Sequence, residues 1–216
     1  MLSINNADPV NTFFTVLGFL IIIGLAVSIH EASHAYVANR LGDPTARLMG
    51  RMTLSPFAHI DPIGTVVIPF ILLILSQGRL TFGWAKPTPI NPLNFRHPRR
   101  DSAIVALAGP VSNFLLAVIF AFLFRIFHHN PLVNILLLYV VQLNLMLGLF
   151  NLIPFPPLDG SKVVMGVLPR EAAASFATLE VQRPAFLMIS ILLFIFFFWG
   201  PLIAAVNFLT SLLVGA

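Results

Sequence analysis

Seventeen almost wholly apolar residues, Thr12 to Ser28, lead into His30-Glu31-Ala32-Ser33-His34. An apolar run of that length is a candidate membrane helix, here expected from about Val10 to Asn39. Residues four apart on a helix lie on one face, one turn apart, so His30 and His34 stack two imidazoles. Zinc takes two nitrogen ligands in that arrangement, and Glu31 between them is placed to take a proton from metal-bound water. The plainer alternative is a pair of helical histidines beside a stray glutamate. Ionisable groups inside a membrane are costly, however, and three together argue for a working site.

The rest of the chain agrees with a membrane setting. Of its 216 residues 58% are hydrophobic and 9% charged, with mean hydropathy +0.94. A soluble domain carries about a quarter charged residues, so the expectation is an all-α polytopic membrane protein. The length allows about five to seven apolar segments and leaves no room for an appended soluble domain. We therefore expect a single domain over 1–216, with a core at about 10–168 and C-terminal membrane segments at about 184–214. The net charge of +4 comes from Lys and Arg in short loops without a basic-aromatic cluster. That pattern fits the positive-inside rule and excludes a nucleic-acid partner. With no cysteine, metal ligands are confined to His, Asp and Glu.

Arg40, Arg47 and Arg51 follow the first apolar run, which puts its C-terminal end in the cytoplasm. A metal at His30 and His34 would then lie about 10 Å below that surface, within reach of water. Leu41-Gly42-Asp43-Pro44 ends the helix by turn chemistry, and Thr45 to Asp61 reads as extended or irregular. Pro62 to Ser76 is short for a span and is flanked on both sides by basic residues, so a re-entrant segment or hairpin is preferred. Thr81 to Leu93 is too rich in proline for a helix and reads as an interfacial loop anchored by Trp84, either a connector or a support for substrate.

Asp101 to Phe127 is a second span, containing Ala108-Gly109-Pro110-Val111-Ser112-Asn113. Its small residues permit close helix approach, Pro110 is a kink position, and Asn113 reads as helix–helix glue more readily than as part of a site. His128-His129-Asn130-Pro131 reads as a solvated turn. Leu132 to Ile153 returns to the cytoplasmic side and ends in Asn151-Leu152-Ile153-Pro154-Phe155-Pro156-Pro157-Leu158-Asp159-Gly160. The prolines forbid a regular helix there. Asp159 alone would read as an N-cap; beside a two-histidine zinc site it reads as the third ligand. Pro169 to Gln182 is expected as a surface helix. Pro184 to Val214, broken at Trp199-Gly200-Pro201, reads as one kinked span or a hairpin.

His30-Glu31-Ala32-Ser33-His34, Ala108 to Asn113, and Asn151 to Gly160 together resemble the site-2 protease family, peptidase family M50, in that family's order. The resemblance covers about Leu17 to Leu168. It is greatest to small prokaryotic members without accessory domains, to whose sequences the His59-Ile60-Asp61-Pro62 and Phe82-Gly83-Trp84-Ala85-Lys86-Pro87 stretches here are similar. No PDZ or CBS insertion is found, and Pro62 to Ser76 is an addition to the plainest family core. The resemblance implies a site-2-protease-like helical core with extended or re-entrant loops. It further implies an integral protein of a prokaryotic cell membrane, with one Zn2+ per chain near the cytoplasmic side. Ligands would be His30, His34 and Asp159, and Glu31 would be the general base. Asn151 would hold the substrate strand or the oxyanion. The implied activity is hydrolysis of peptide bonds in or near transmembrane segments, with membrane proteins or peptides as partners, the bilayer as setting, and oligomeric state left open. Two other functions remain: an ion or proton transporter, and a binding protein of the same fold without catalysis. Transport predicts ionisable groups spread along a pore, whereas here they gather at one depth.

Overall fold

In the computed structural model, residues 9–75, 85–127, 131–175 and 184–215 are described. The described elements are helical: α1 (Pro9–Arg40), α2 (Thr45–Leu48), α3 (Ile68–Leu75), α4 (Pro98–Ile126), α5 (Pro131–Asn151), α6 (Asp159–Val167) and α7 (Pro184–Val214). Residues 170–175 are helical as well, and no strand occurs among the described residues. Among the described residues, four stretches are long and apolar enough to cross a membrane: Leu17–Arg40, Pro98–Ile126, Val133–Asn151 and Phe197–Val214. The chain is an all-α polytopic membrane protein.

Helix α4 is the hub, packing against α1, α5, α6 and α7. Its first turn starts at Pro98, where a missing N–H costs nothing, and the Asp101 carboxylate accepts the His97 N–H at 2.9 Å. It buries small residues, Ala103, Ala106 and Gly109, as α1 buries Ala35 and Ala38, which suits close helix approach. A methyl added to Gly166 of α6 would collide with Ala103, so this contact too depends on small residues. Arg99 closes the far end of α6 by donating to the carbonyls of Met165, at 2.9 Å, and Leu168. Beyond Asn113 the helix is held by apolar packing: Ala117 and Ala121 sit with Val141 and Leu145 of α5 and Val206 and Val214 of α7.

Several expectations gain definition. The mixed region after α1 is irregular as expected, apart from the single turn of α2 and a 3-10 turn at Pro56–Ala58. Pro62 to Ser76 opens with a π-type turn, Pro62–Val67, whose N–H groups of Ile63 and Gly64 are accepted by Asp61 at 2.9 and 2.8 Å, and it continues as α3. The Lys86 N–H donates to the His59 carbonyl at 2.9 Å, which ties the residues after this region to those before it. The final apolar region is one helix that runs through Pro201, not a hairpin. The Phe82-Gly83-Trp84 part of the loop, the His128-His129 turn and the latter half of Pro169 to Gln182 lie outside the described residues.

Just past α1, the buried Asp43 carboxylate fastens the loop that precedes α4. It accepts from the Asn91 N–H and from Asn94 Nδ2, each at 2.7 Å, and from the Thr45 N–H at 3.1 Å and its hydroxyl. Burial by itself would raise this carboxyl, but the donors from Thr45, Asn94 and Asn91 outweigh it and hold it below the usual carboxylate range.

Candidate metal centre

Three residues from two elements far apart in sequence meet at one point. His30 and His34 come from α1, and Asp159 from the first turn of α6. Asp159 Oδ2 lies 3.1 Å from Nε2 of each histidine, and one ligand atom from each of the three falls within 4.8 Å of the others. All three are buried. The cap position of α6 is Leu158, and no side chain caps the helix, so Asp159 is not serving as an N-cap.

The prolines before α6 explain its placement. α5 ends at Asn151, the chain turns through Pro154, Pro156 and Pro157, and α6 restarts against the frayed end of α5. Any Cβ at Gly160 would strike the carbonyls of Leu152 and Ile153. Only glycine lets the Asp159 turn sit this close to the end of α5.

The donor set suits zinc. His34 Nδ1 lies 2.7 Å from the Val105 carbonyl, which is an acceptor only, so Nδ1 carries the hydrogen and Nε2 keeps its lone pair. His30 Nδ1 lies 2.6 Å from Asn113 Oδ1, with the same consequence. Second partners of this kind fix the ring and its tautomer in metal sites. Two such Nε2 atoms with one carboxylate, and no thiolate, are a hydrolytic zinc ligand set that leaves a position open.

Gly109 makes the approach of the rings possible. Side chains on a helix lean towards its N-terminus, so a residue at position 109 would cover the Val105 carbonyl. A Cβ there would overlap His34 Nε2 and come within 2.5 Å of His30 Nε2.

Beside these residues is a cavity of about 230 Å³ whose wall includes Glu31, Asn151, Lys162, Ser102 and Thr88. Glu31 Oε2 accepts the Thr88 N–H at 2.8 Å, and the Thr88 hydroxyl donates to the Glu31 carbonyl at 3.0 Å. The proline-rich loop is therefore more than a connector: Pro87, Thr88, Ile90 and Pro92 form one side of the cavity. Asn151 is in the wall with its Nδ2 donating to the Leu147 carbonyl at 3.0 Å. His59 is elsewhere, its Nε2 donating to the Thr53 carbonyl at 3.0 Å. Asn113 proves to be both glue and a partner of the site, since its Nδ2 donates to Asn144 Oδ1 at 2.9 Å while its oxygen serves His30. Sequence reasoning missed Asn144 and Lys162. An asparagine in the apolar run of α5 was the available signal for the first; for the second it was a lysine three residues after Asp159, on the same face of α6.

Comparison with known proteins gives the same picture. The model of Peptidase family M50 matches residues 18–135 and 125–197. A candidate zinc metalloprotease of Bacillus subtilis, YwhC, is 41% identical over 171 residues, 74% of either chain. A candidate zinc metalloprotease of Mycolicibacterium smegmatis, Rip2, is 29% identical over 87% of this chain and 71% of its own. The zinc metalloprotease MJ0392 of Methanocaldococcus jannaschii is 27% identical over 74% of this chain but only 37% of its own length. No solved structure matches. Since the family match takes in His30, His34 and Asp159 and YwhC is 41% identical over 74% of the sequence, the chain belongs to peptidase family M50.

Proposed function

We propose that this chain, a zinc metalloprotease of family M50, hydrolyses peptide bonds in or near transmembrane segments of membrane proteins or peptides, acting as a single domain. The observation that carries the reading is the convergence of His30, His34 and Asp159 beside Glu31, in a cavity built between membrane helices.

His30, His34 and Asp159 would hold zinc. Bound there, zinc supplies Lewis-acid polarisation of water and of the peptide carbonyl. Glu31 accepts a proton from the attacking water and later passes it to the leaving amine. The Thr88 N–H steadies the Glu31 carboxylate in the orientation this requires. Asn151 donates to the developing oxyanion, exchanging its bond to Leu147 for one to substrate. A substrate helix keeps its carbonyls hydrogen-bonded, so a segment must unwind before attack. The loop from Ala85 to Asn91, irregular and adjacent to Glu31, is where the unwound strand would be received. Arg40, Arg47 and Arg51 beyond α1 support a site near the cytoplasmic side of a prokaryotic cell membrane.

The test is cleavage of single-span membrane peptides by purified protein, with zinc content measured in parallel, for wild type and Glu31→Gln. Wild type cleaves, and Glu31→Gln loses about 10²- to 10⁴-fold in rate while retaining zinc. A Glu31→Gln protein as active as wild type removes the general-base assignment. Absence of zinc from both proteins after gentle extraction removes the three-ligand site.

A further inference from the structure

Asn113 and Asn144 are the largest polar side chains that the described residues bury completely, at 0% and 1% exposed. They lie on α4 and α5, buried in the bundle, where an unsatisfied amide is costly. Both are satisfied, and the pattern has a direction. Asn144 Nδ2 donates to the Val140 carbonyl at 2.9 Å. A backbone carbonyl only accepts, so the Asn144 amide is locked with its nitrogen towards Val140 and its oxygen towards Asn113. That oxygen takes the Asn113 Nδ2 hydrogen at 2.9 Å, which locks the second amide the same way. Asn113 Oδ1 is thereby turned on His30 Nδ1 at 2.6 Å.

We propose that Asn144 is a positioning residue of the zinc site, acting through Asn113 to hold His30 in the tautomer that leaves Nε2 free for metal. The inference rests on the zinc-site reading above and adds a residue that touches neither zinc nor histidine. The two ligand imidazoles are oriented by the same kind of anchor. For His34 the anchor is a backbone carbonyl in direct contact; for His30 it is a backbone carbonyl two amides away. If Asn113 were flipped, its N–H would face His30 Nδ1 and call for the opposite tautomer, with hydrogen on Nε2 where metal must bind. Its oxygen would also face the oxygen of Asn144. The Val140 carbonyl is what excludes that arrangement.

The experiment measures zinc affinity of the full-length protein by chelator competition, together with ¹⁵N NMR of the histidine ring nitrogens in zinc-free protein. Asn144→Leu frees the Asn113 amide to turn, so zinc affinity falls by about 10- to 100-fold and His30 becomes a mixture of tautomers while His34 is unchanged. Asn144→Asp restores both readouts, because a protonated acid donates to Val140 and still accepts from Asn113. Asn144→Ser, too short to bridge the two, reproduces the loss should the leucine variant fail to fold. Val141→Ala loosens the neighbouring core without touching the relay, and lowers thermal stability with zinc affinity unchanged. Wild-type affinity and tautomer in both Asn144→Leu and Asn144→Ser overturn the proposal. An equal loss of zinc in Val141→Ala overturns it as well, since general packing would then be the cause. These readouts need no turnover: failure of peptide cleavage refutes the proteolytic reading and leaves the relay standing, whereas cleaving protein with an indifferent Asn144 refutes the relay alone.

Discussion

Helix α4 does two jobs with one backbone. From Asp101 to Asn113 its buried groups make directed contacts: a carboxylate on the His97 N–H, a carbonyl on His34, an amide oxygen on His30. From Phe114 onwards the buried positions are Ala117 and Ala121, in contact with aliphatic side chains of α5 and α7. The second half needs volume and shape, which related apolar residues supply at small cost. The first half needs a given atom in a given place, and near-neighbours in size do not substitute. Stability and metal binding should therefore separate along a single helix.

The largest effect is expected at Gly109. In Gly109→Ala the added carbon displaces both imidazoles, so zinc affinity drops by about 100-fold or more and cleavage falls with it. The same overpacking lowers unfolding free energy by about 1 to 3 kcal/mol, so zinc affinity is read on the folded fraction. A zinc-replete, active Gly109→Ala protein would break the distinction between the halves. Leu145→Ala is the mirror experiment. It hollows the cluster around Ala117 and Val206, lowering unfolding free energy by about 2 kcal/mol with zinc content unchanged. Loss of zinc there would mean that the two halves are coupled by packing.

A smaller effect sharpens the picture at the edge of the site. The Asp43 carboxyl sits below its ordinary value in the fold, so its contribution is complete above the unfolded value of about 3.9. It is lost as pH falls through the lower, folded value. Hydrogen exchange at the Asn91 amide, corrected for intrinsic rates, should lose protection over that acidic range. Asn replacing Asp43 should weaken protection at neutral pH and flatten the dependence.

Much of this architecture was legible because long apolar runs admit few folds. The expected spans at Asp101 to Phe127 and Leu132 to Ile153 appear as Pro98–Ile126 and Pro131–Asn151. Two histidines one turn apart, and an aspartate after a proline-broken helix, were visible as local patterns. Their meeting across 129 positions was expected from the ligand count zinc needs and from the family resemblance, not from any local pattern, since nothing local sets the angle between α1 and α6. Thr88 over Glu31 and Asn144 behind Asn113 escaped for the same reason. Each acts through one hydrogen bond to a distant element, and a single threonine or asparagine carries no periodic signature. Gly109 lay inside a recognised small-residue segment, but which ring it admitted depended on how α1 lies against α4.

The Lys86 to His59 bond also bears on how such a protein could change. It joins the residues on either side of the intervening sequence just ahead of Thr88, whose N–H donates to Glu31. Lengthening a loop with fixed ends costs little entropy, about 0.6 kcal/mol for each doubling. Sequence between residues 60 and 85 is thus an exchangeable cassette, where new segments could be grafted while the floor of the site keeps its register.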